Sequence, residues 1–161
     1  MVSSKTNEWS TPQDFYDKLN AEFNFQLDVA STKENAKCAK YFTIEDDGLS
    51  KEWSEMNWMN PPYGGHTKDW IKKAHEESLK GRETVCLIVS STDRSYWHDY
   101  IFPFAKQIRF IRGRLKFGGV KSTAPFASAL VIFSPHQYAD RICFYPTPPK
   151  TVVDDKSEGG K

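Results

Sequence analysis

The chain reads as an α/β protein built on a largely parallel sheet. Three observations predict this class. Segments of strand and helix pattern alternate along most of the 161 residues, as they do when strands are joined through helical crossovers. Residues 84–90 (TVCLIVS) form a near-continuous apolar run, the pattern of a central strand buried on both faces. Asp28 and Asn60 fall at the predicted ends of two other strands, the edge where such sheets bind ligands.

The elements follow in order. Thr11-Pro12 opens a helix expected over 12–22, with Thr11 as N-cap and Pro12 in the first helical position. Residues 25–29 (FQLDV) alternate and read as a strand ending at an acid, whereas 31–50 are polar and irregular. Residues 56–59 form a short strand running into Asn60. Residues 67–79 carry helical apolar spacing through Trp70, Ile71, Ala74 and Leu79, and Gly81 stops that helix. Beyond the 84–90 strand, 93–104 reads as a helix with Pro103 near its end. Residues 108–115 and 127–133 read as paired strands, and 142–145 as a last edge strand. The polar ends, 1–7 and 150–161, are expected to be flexible. Residues 8–149 are then expected to form a single domain.

Composition narrows the partners. The longest apolar runs are too short to span a bilayer, and the opening MVSSKTNEW lacks the apolar core of a signal peptide. A cytoplasmic location is the expectation. Cys38, Cys86 and Cys143 share no ligand-like spacing, so neither a disulfide framework nor a zinc site is expected. The four histidines are scattered, and no metal is expected. Net charge is only +1, but its distribution is uneven. Residues 100–139 contain no Asp or Glu and hold Lys106, Arg109, Arg112, Arg114, Lys116 and Lys121. Such a stretch suits a phosphate-contacting face; a solvated strand face is the plainer alternative. Arg109, Arg112, Arg114, Lys116 and Lys121 are the candidate nucleic-acid contacts.

Asn60-Pro61-Pro62-Tyr63 carries the most chemistry. The exocyclic amine of a conjugated ring is a poor nucleophile, because its lone pair is delocalised. Two acceptors that take its two N–H bonds localise the pair and stabilise the charge that develops on nitrogen. The Asn60 side-chain oxygen and the Pro61 carbonyl are candidates for those acceptors. Each proline fixes its own φ and restrains the residue before it, so Pro61 and Pro62 stiffen the loop. Tyr63 offers a flat face for a base taken out of a duplex. The same four residues also make an ordinary turn.

With its surroundings, this tetrapeptide resembles the phage-type DNA N6-adenine methyltransferases, the Dam-like family. The resemblance rests on Trp9-Ser10-Thr11-Pro12, Leu27-Asp28-Val29-Ala30-Ser31, Asn35-Ala36-Lys37-Cys38 with Tyr41, and Asp47-Gly48-Leu49 with Trp53. It extends through Trp58-Met59 into the tetrapeptide, and then through Ile111-Arg112-Gly113-Arg114-Leu115-Lys116-Phe117. It implies a reduced Rossmann-like methyltransferase fold with helices on both faces of the sheet. It also implies S-adenosylmethionine as methyl donor and double-stranded DNA as substrate, in the cytoplasm of a bacterial host. Trp9, Thr11, Pro12, Asp28, Ala30, Ser31 and Asp47 become donor-site candidates on that basis. The chain departs from the wider pattern in having no glycine in the Asp28-Val29-Ala30-Ser31 turn. A separate target-recognition domain does not fit in 161 residues. Sequence reading would then fall to loops, to residues 112–121, or to a second subunit, so a dimer stays open. RNA adenine, a glutamine amide, or a non-catalytic binding role on the same scaffold are the alternatives.

Overall fold

The computed structural model describes residues 10–117, 123–145 and 152–153. Trp9, Lys121 and the two expected flexible ends lie outside these, apart from 152–153. A seven-stranded sheet organises the chain. Its strands are β1 (Leu27–Asp28), β2 (Lys40–Tyr41), β3 (Met56–Met59), β4 (Glu83–Val89), β5 (Gln107–Ile111), β6 (Ser128–Phe133) and β8 (Ile142–Tyr145). Their order across the sheet is β2-β1-β3-β4-β6-β5-β8. Every neighbouring pair is parallel except those made by β6, which runs antiparallel to both β4 and β5. Two short strands, β7 (Gln137–Tyr138) and β9 (Val152–Val153), pair separately.

Helices cover both faces. Alternate residues of β4 point opposite ways, as the strand repeat requires. Cys86 and Ile88 join Ile71 and Ala74 of α2 (Thr67–Leu79) and Trp97 and Ile101 on one face. Val85 and Leu87 join Phe15, Tyr16, Leu19 and Phe23 of α1 (Gln13–Phe23) on the other. β6 alternates in the same way, with Ala129, Val131 and Phe133 against Leu130 and Ile132.

Several expectations are corrected. Thr11 is not a side-chain cap: α1 begins one residue later, Pro12 is its N-cap residue, and no side chain closes its first turn. The first strand is confined to Leu27–Asp28, and before it the Asn20 side chain takes the Phe25 amide at 2.9 Å. The polar 31–50 region contributes β2, which pairs with β1. Residues 97–101 wind as a π-turn that leads into α3 (Phe102–Phe104). β5 ends at Ile111 rather than continuing to 115, and Gly113 takes φ +77°, a conformation in which a side chain would be strained. Arg112, Arg114 and Lys116 therefore stand on a loop. Among the described residues no helix is long and apolar enough to cross a membrane.

Candidate active site

The parallel strands place Asp28, Asn60, Ser90 and Arg112 just at or beyond their carboxyl ends. The same edge receives the start of β6, since Ser128 pairs with Val89 and the Ser90 amide donates to the Ala127 carbonyl at 2.9 Å. One edge of the sheet thus collects most of the residues singled out by sequence.

Asn60 follows directly on β3. Its Nδ2 donates to Thr11 Oγ1 at 3.1 Å. The carboxamide nitrogen thus points to the amino end of α1, and the oxygen lies on the opposite side of the group. Pro61 is buried and Pro62 exposed. The Pro62 carbonyl accepts from Thr67 Oγ1 at 3.1 Å, which ties the tetrapeptide to the first turn of α2. Tyr63, the expected stacking face, is half-buried. Its ring meets Phe126 at 5.5 Å and 90°, and Phe117 at 6.4 Å and 84°. Perpendicular contacts of this kind fix the ring plane. The Tyr63 hydroxyl is buried with no hydrogen-bond partner among the described residues, and burial raises its pKa.

Arg112, Arg114 and Lys116 are exposed, and Phe117 at the end of their loop packs on Tyr63. The Leu115 carbonyl accepts from the Ala124 amide at 2.8 Å, which ties this segment to the residues before β6. These three cations thus belong to the segment that Phe117 anchors on the tetrapeptide. Arg109 does not. It is 1% exposed in mid-strand, bonded to both carboxylate oxygens of Glu22 at 2.7 and 2.6 Å, with its Nε on Gln107 at 2.7 Å. Its expected role as a phosphate contact is corrected. Every strand position alternates between faces, and this one faces α1 rather than solvent.

At β1 the turn without glycine is organised by its own acid. Asp28 is 2% exposed, and its carboxylate accepts from the Lys37 amide at 2.9 Å and from the Ala30 amide at 3.4 Å. Burial raises its pKa to about 6 against the pull of those two bonds. The Ser31 amide is taken by the Phe42 carbonyl at 3.0 Å, while the Ser31 hydroxyl is buried with no partner among the described residues. The glycine that permits close approach is Gly48. A Cβ there would stand 2.5 Å from the Val29 carbonyl oxygen and 3.1 Å from the Trp70 ring. That contact, with Trp53 Nε1 donating to the Gly48 carbonyl at 2.9 Å, brings exposed Asp47 to the end of β1. Asp47 has φ +53°, uncommon for a residue with a side chain. Asp46, by contrast, spends its carboxylate on the amide and hydroxyl of Thr43, at 2.8 and 3.1 Å.

Sequence reasoning missed Ser90, Ser128, Phe117 and Phe126. The Ser90 and Ser128 hydroxyls are buried at the carboxyl edge with no partner among the described residues. Ser90 closes the apolar run 84–90, and a polar residue ending a buried strand was the available signal.

Residues 1–151 match the family described as DNA N-6-adenine-methyltransferase (Dam). The chain is 28% identical over 106 residues to the DNA N-6-adenine-methyltransferase of Haemophilus phage HP1, covering 64% of this chain and 61% of the relative. It is 26% identical over 110 residues to the DNA N-6-adenine-methyltransferase of Escherichia phage T1, covering 66% of this chain and 45% of the relative. With YfdM of Escherichia coli K12 it shares 38% identity over 65 residues, 35% of this chain and 71% of that protein. The matched segments thus span less than two thirds of either phage relative. A mostly parallel sheet clad on both faces, with Asn60-Pro61-Pro62-Tyr63 at its carboxyl edge, agrees with that match, and this chain belongs to the DNA N-6-adenine-methyltransferase (Dam) family.

Proposed function

We propose that this chain methylates the exocyclic N6 amine of adenine in double-stranded DNA, with residues 8–149 acting as one catalytic unit. The observation that supports it most is the placement of Asn60 at the carboxyl end of β3, with its amide nitrogen held by Thr11. The Asn60 oxygen and the Pro61 carbonyl accept the two amine N–H bonds. This localises the nitrogen lone pair and stabilises positive charge on that nitrogen. Pro61 and Pro62 keep both acceptors on stiff backbone. Tyr63, its plane set by Phe117 and Phe126, gives the extruded base a surface to stack on. S-adenosylmethionine supplies a sulfonium methyl: the amine nitrogen forms the new N–C bond as the C–S bond breaks and its electron pair returns to sulfur. The methylated nitrogen then loses its proton to water, so this chain needs no strong general base.

For the donor, the candidates are Thr11, Pro12, Asp28, Ala30, Asp47 and Ser31, whose hydroxyl is buried with no partner among the described residues, and Trp9 precedes them in sequence. A buried hydroxyl without a partner is costly unless a ligand satisfies it, and Ser31 fits that role. Asp28, already accepting two amides, acts chiefly by shaping the turn. Arg112, Arg114 and Lys116 neutralise phosphates. The names of the two phage relatives carry the same substrate, and the cytoplasm of a bacterial host is the proposed place of action.

The test offers labelled S-adenosylmethionine with matched double-stranded DNA, RNA and a glutamine peptide, followed by digestion to single nucleosides or amino acids. Label on N6-methyladenine from DNA is the expected outcome. Label confined to RNA or peptide would keep the chemistry and replace the substrate. No label and no donor binding would leave a binding module on a methyltransferase scaffold.

A further inference from the structure

We infer that Thr11 is a positioning residue: its hydroxyl holds the Asn60 amide in the orientation that accepts from the substrate amine. The inference rests on the reading of Asn60 given above. Thr11 and Asn60 are 49 residues apart in sequence, yet Asn60 Nδ2 lies 3.1 Å from Thr11 Oγ1. Thr11 is 3% exposed and Asn60 half-buried, so the Thr11 side of this bond is shielded from water. The hydroxyl has no role in starting α1, whose first turn takes no side-chain cap. A second contact locks the same two segments. The Tyr16 ring, one turn into α1, meets Trp58 at 5.5 Å and 77°, and Trp58 lies two residues before Asn60. The amide of Tyr16 is bound by the Pro12 carbonyl at 3.0 Å, so Thr11 sits next to a fixed turn.

The chemistry explains why such a brace matters. The two ends of a carboxamide have nearly the same size but opposite hydrogen-bonding character. Turned the wrong way, Asn60 would present N–H bonds to the N–H bonds of the substrate. With its nitrogen engaged by Thr11, the group keeps its oxygen, buried in this structure, on the other side. Loss of the hydroxyl removes the bond that Thr11 makes to Nδ2 and weakens the preference for this orientation of the carboxamide. Thr11 also belongs to the segment that the resemblance assigns to the donor. One residue would thus connect the donor side of the crevice to the amine-accepting group.

Thr11→Val removes the hydroxyl at constant volume, and Thr11→Ala repeats that deletion without the added methyl. Thr11→Ser keeps the hydroxyl. Measured on unmethylated DNA, kcat should fall about 10- to 100-fold in Thr11→Val and Thr11→Ala. Donor affinity by calorimetry and KM for DNA should stay within about threefold of the wild type, since the affected bond matters to the transition state. Thr11→Ser should restore kcat to within about threefold, because the bond is restored. Wild-type kcat in both deletions would overturn the inference. So would donor affinity falling as far as the rate, which would put the hydroxyl on the donor, or Thr11→Ser failing as badly as Thr11→Val. A wild-type protein that transfers no methyl to any amine would sink the reading of Asn60 itself, and this inference with it.

Discussion

The two edges of the sheet treat buried polar groups differently. At the amino edge the buried carboxylates are held by cations or hydroxyls. Glu83, the first residue of β4, binds the Ser134 hydroxyl at 2.9 Å and the Tyr138 hydroxyl. Glu77, near the end of α2, is fully buried between Lys73 at 2.8 Å, Lys80 at 3.5 Å and Arg82. Glu22, near the end of α1, holds Arg109 through two bonds. At the carboxyl edge the hydroxyls of Ser31, Tyr63, Ser90 and Ser128 are buried with no partner among the described residues. The other side is not free of such atoms: Thr84 Oγ1, near the start of β4, and His75 Nδ1 and Glu77 Oε1, in the second half of α2, are also buried with no hydrogen-bond partner among the described residues, although Glu77 Oε1 is held by ion pairs. Native proteins satisfy buried polar groups almost everywhere, and clustered exceptions mark places built for something else. The amino edge therefore gathers the ion pairs that serve stability, and the carboxyl edge gathers four hydroxyls that a ligand would satisfy.

The largest effect on stability should come from the paired edge. Arg109→Met leaves Glu22 facing an apolar side chain, and a buried pair broken in this way costs about 3 kcal/mol or more. Its midpoint in urea should drop accordingly, while the salt dependence of DNA binding stays as in the wild type. A changed salt slope would put Arg109 back among the phosphate contacts.

Asp28 comes next. Burial raises its pKa to about 6 from the usual 3.8, so the folded protein holds this proton more tightly than the unfolded chain does. Stability from this group is present below about pH 4 and is lost as pH rises through about 6. The difference between Asp28→Asn and wild type should therefore move in favour of the variant across that window, by about 2 kcal/mol. A constant difference from pH 4 to 7 would mean that Asp28 titrates normally.

Gly48→Ala places a methyl group against the Val29 carbonyl, an overpacking that costs about 1 to 3 kcal/mol. Because the clash lies at the end of β1, donor affinity by calorimetry should fall along with the melting temperature. Loss of stability with unchanged donor affinity would detach this turn from the donor. The smallest effects belong to the loop cations. Arg112→Ala and Arg114→Ala should each lower the slope of log binding constant against log salt by about 1, with the melting temperature unchanged.

Much of this division was legible in the sequence. The tetrapeptide, the apolar run 84–90 and the helix 67–79 depend on local pattern, and each folds where that pattern places it, within a residue or so. Side-chain destinations were less legible. Thr11 looks like a helix cap, because residues before Pro12 commonly are, but the partner that claims its hydroxyl lies 49 residues away. Arg109 looks like its neighbours Arg112 and Arg114, yet strand alternation turns it toward Glu22. β2, two residues long in a polar segment, has no periodicity to reveal it. Gly48 replaces the missing glycine after β1 from a different loop, a contact that only tertiary structure creates.

The central claim, that the carboxyl edge performs amine methylation through Asn60, is tested most directly by Asn60→Ala. Transfer of labelled methyl to unmethylated DNA, measured per folded molecule beside the wild type, should fall by about 10²- to 10³-fold or more. Donor binding and melting temperature should hardly change. An Asn60→Ala protein that still methylates adenine at the wild-type rate would contradict the account.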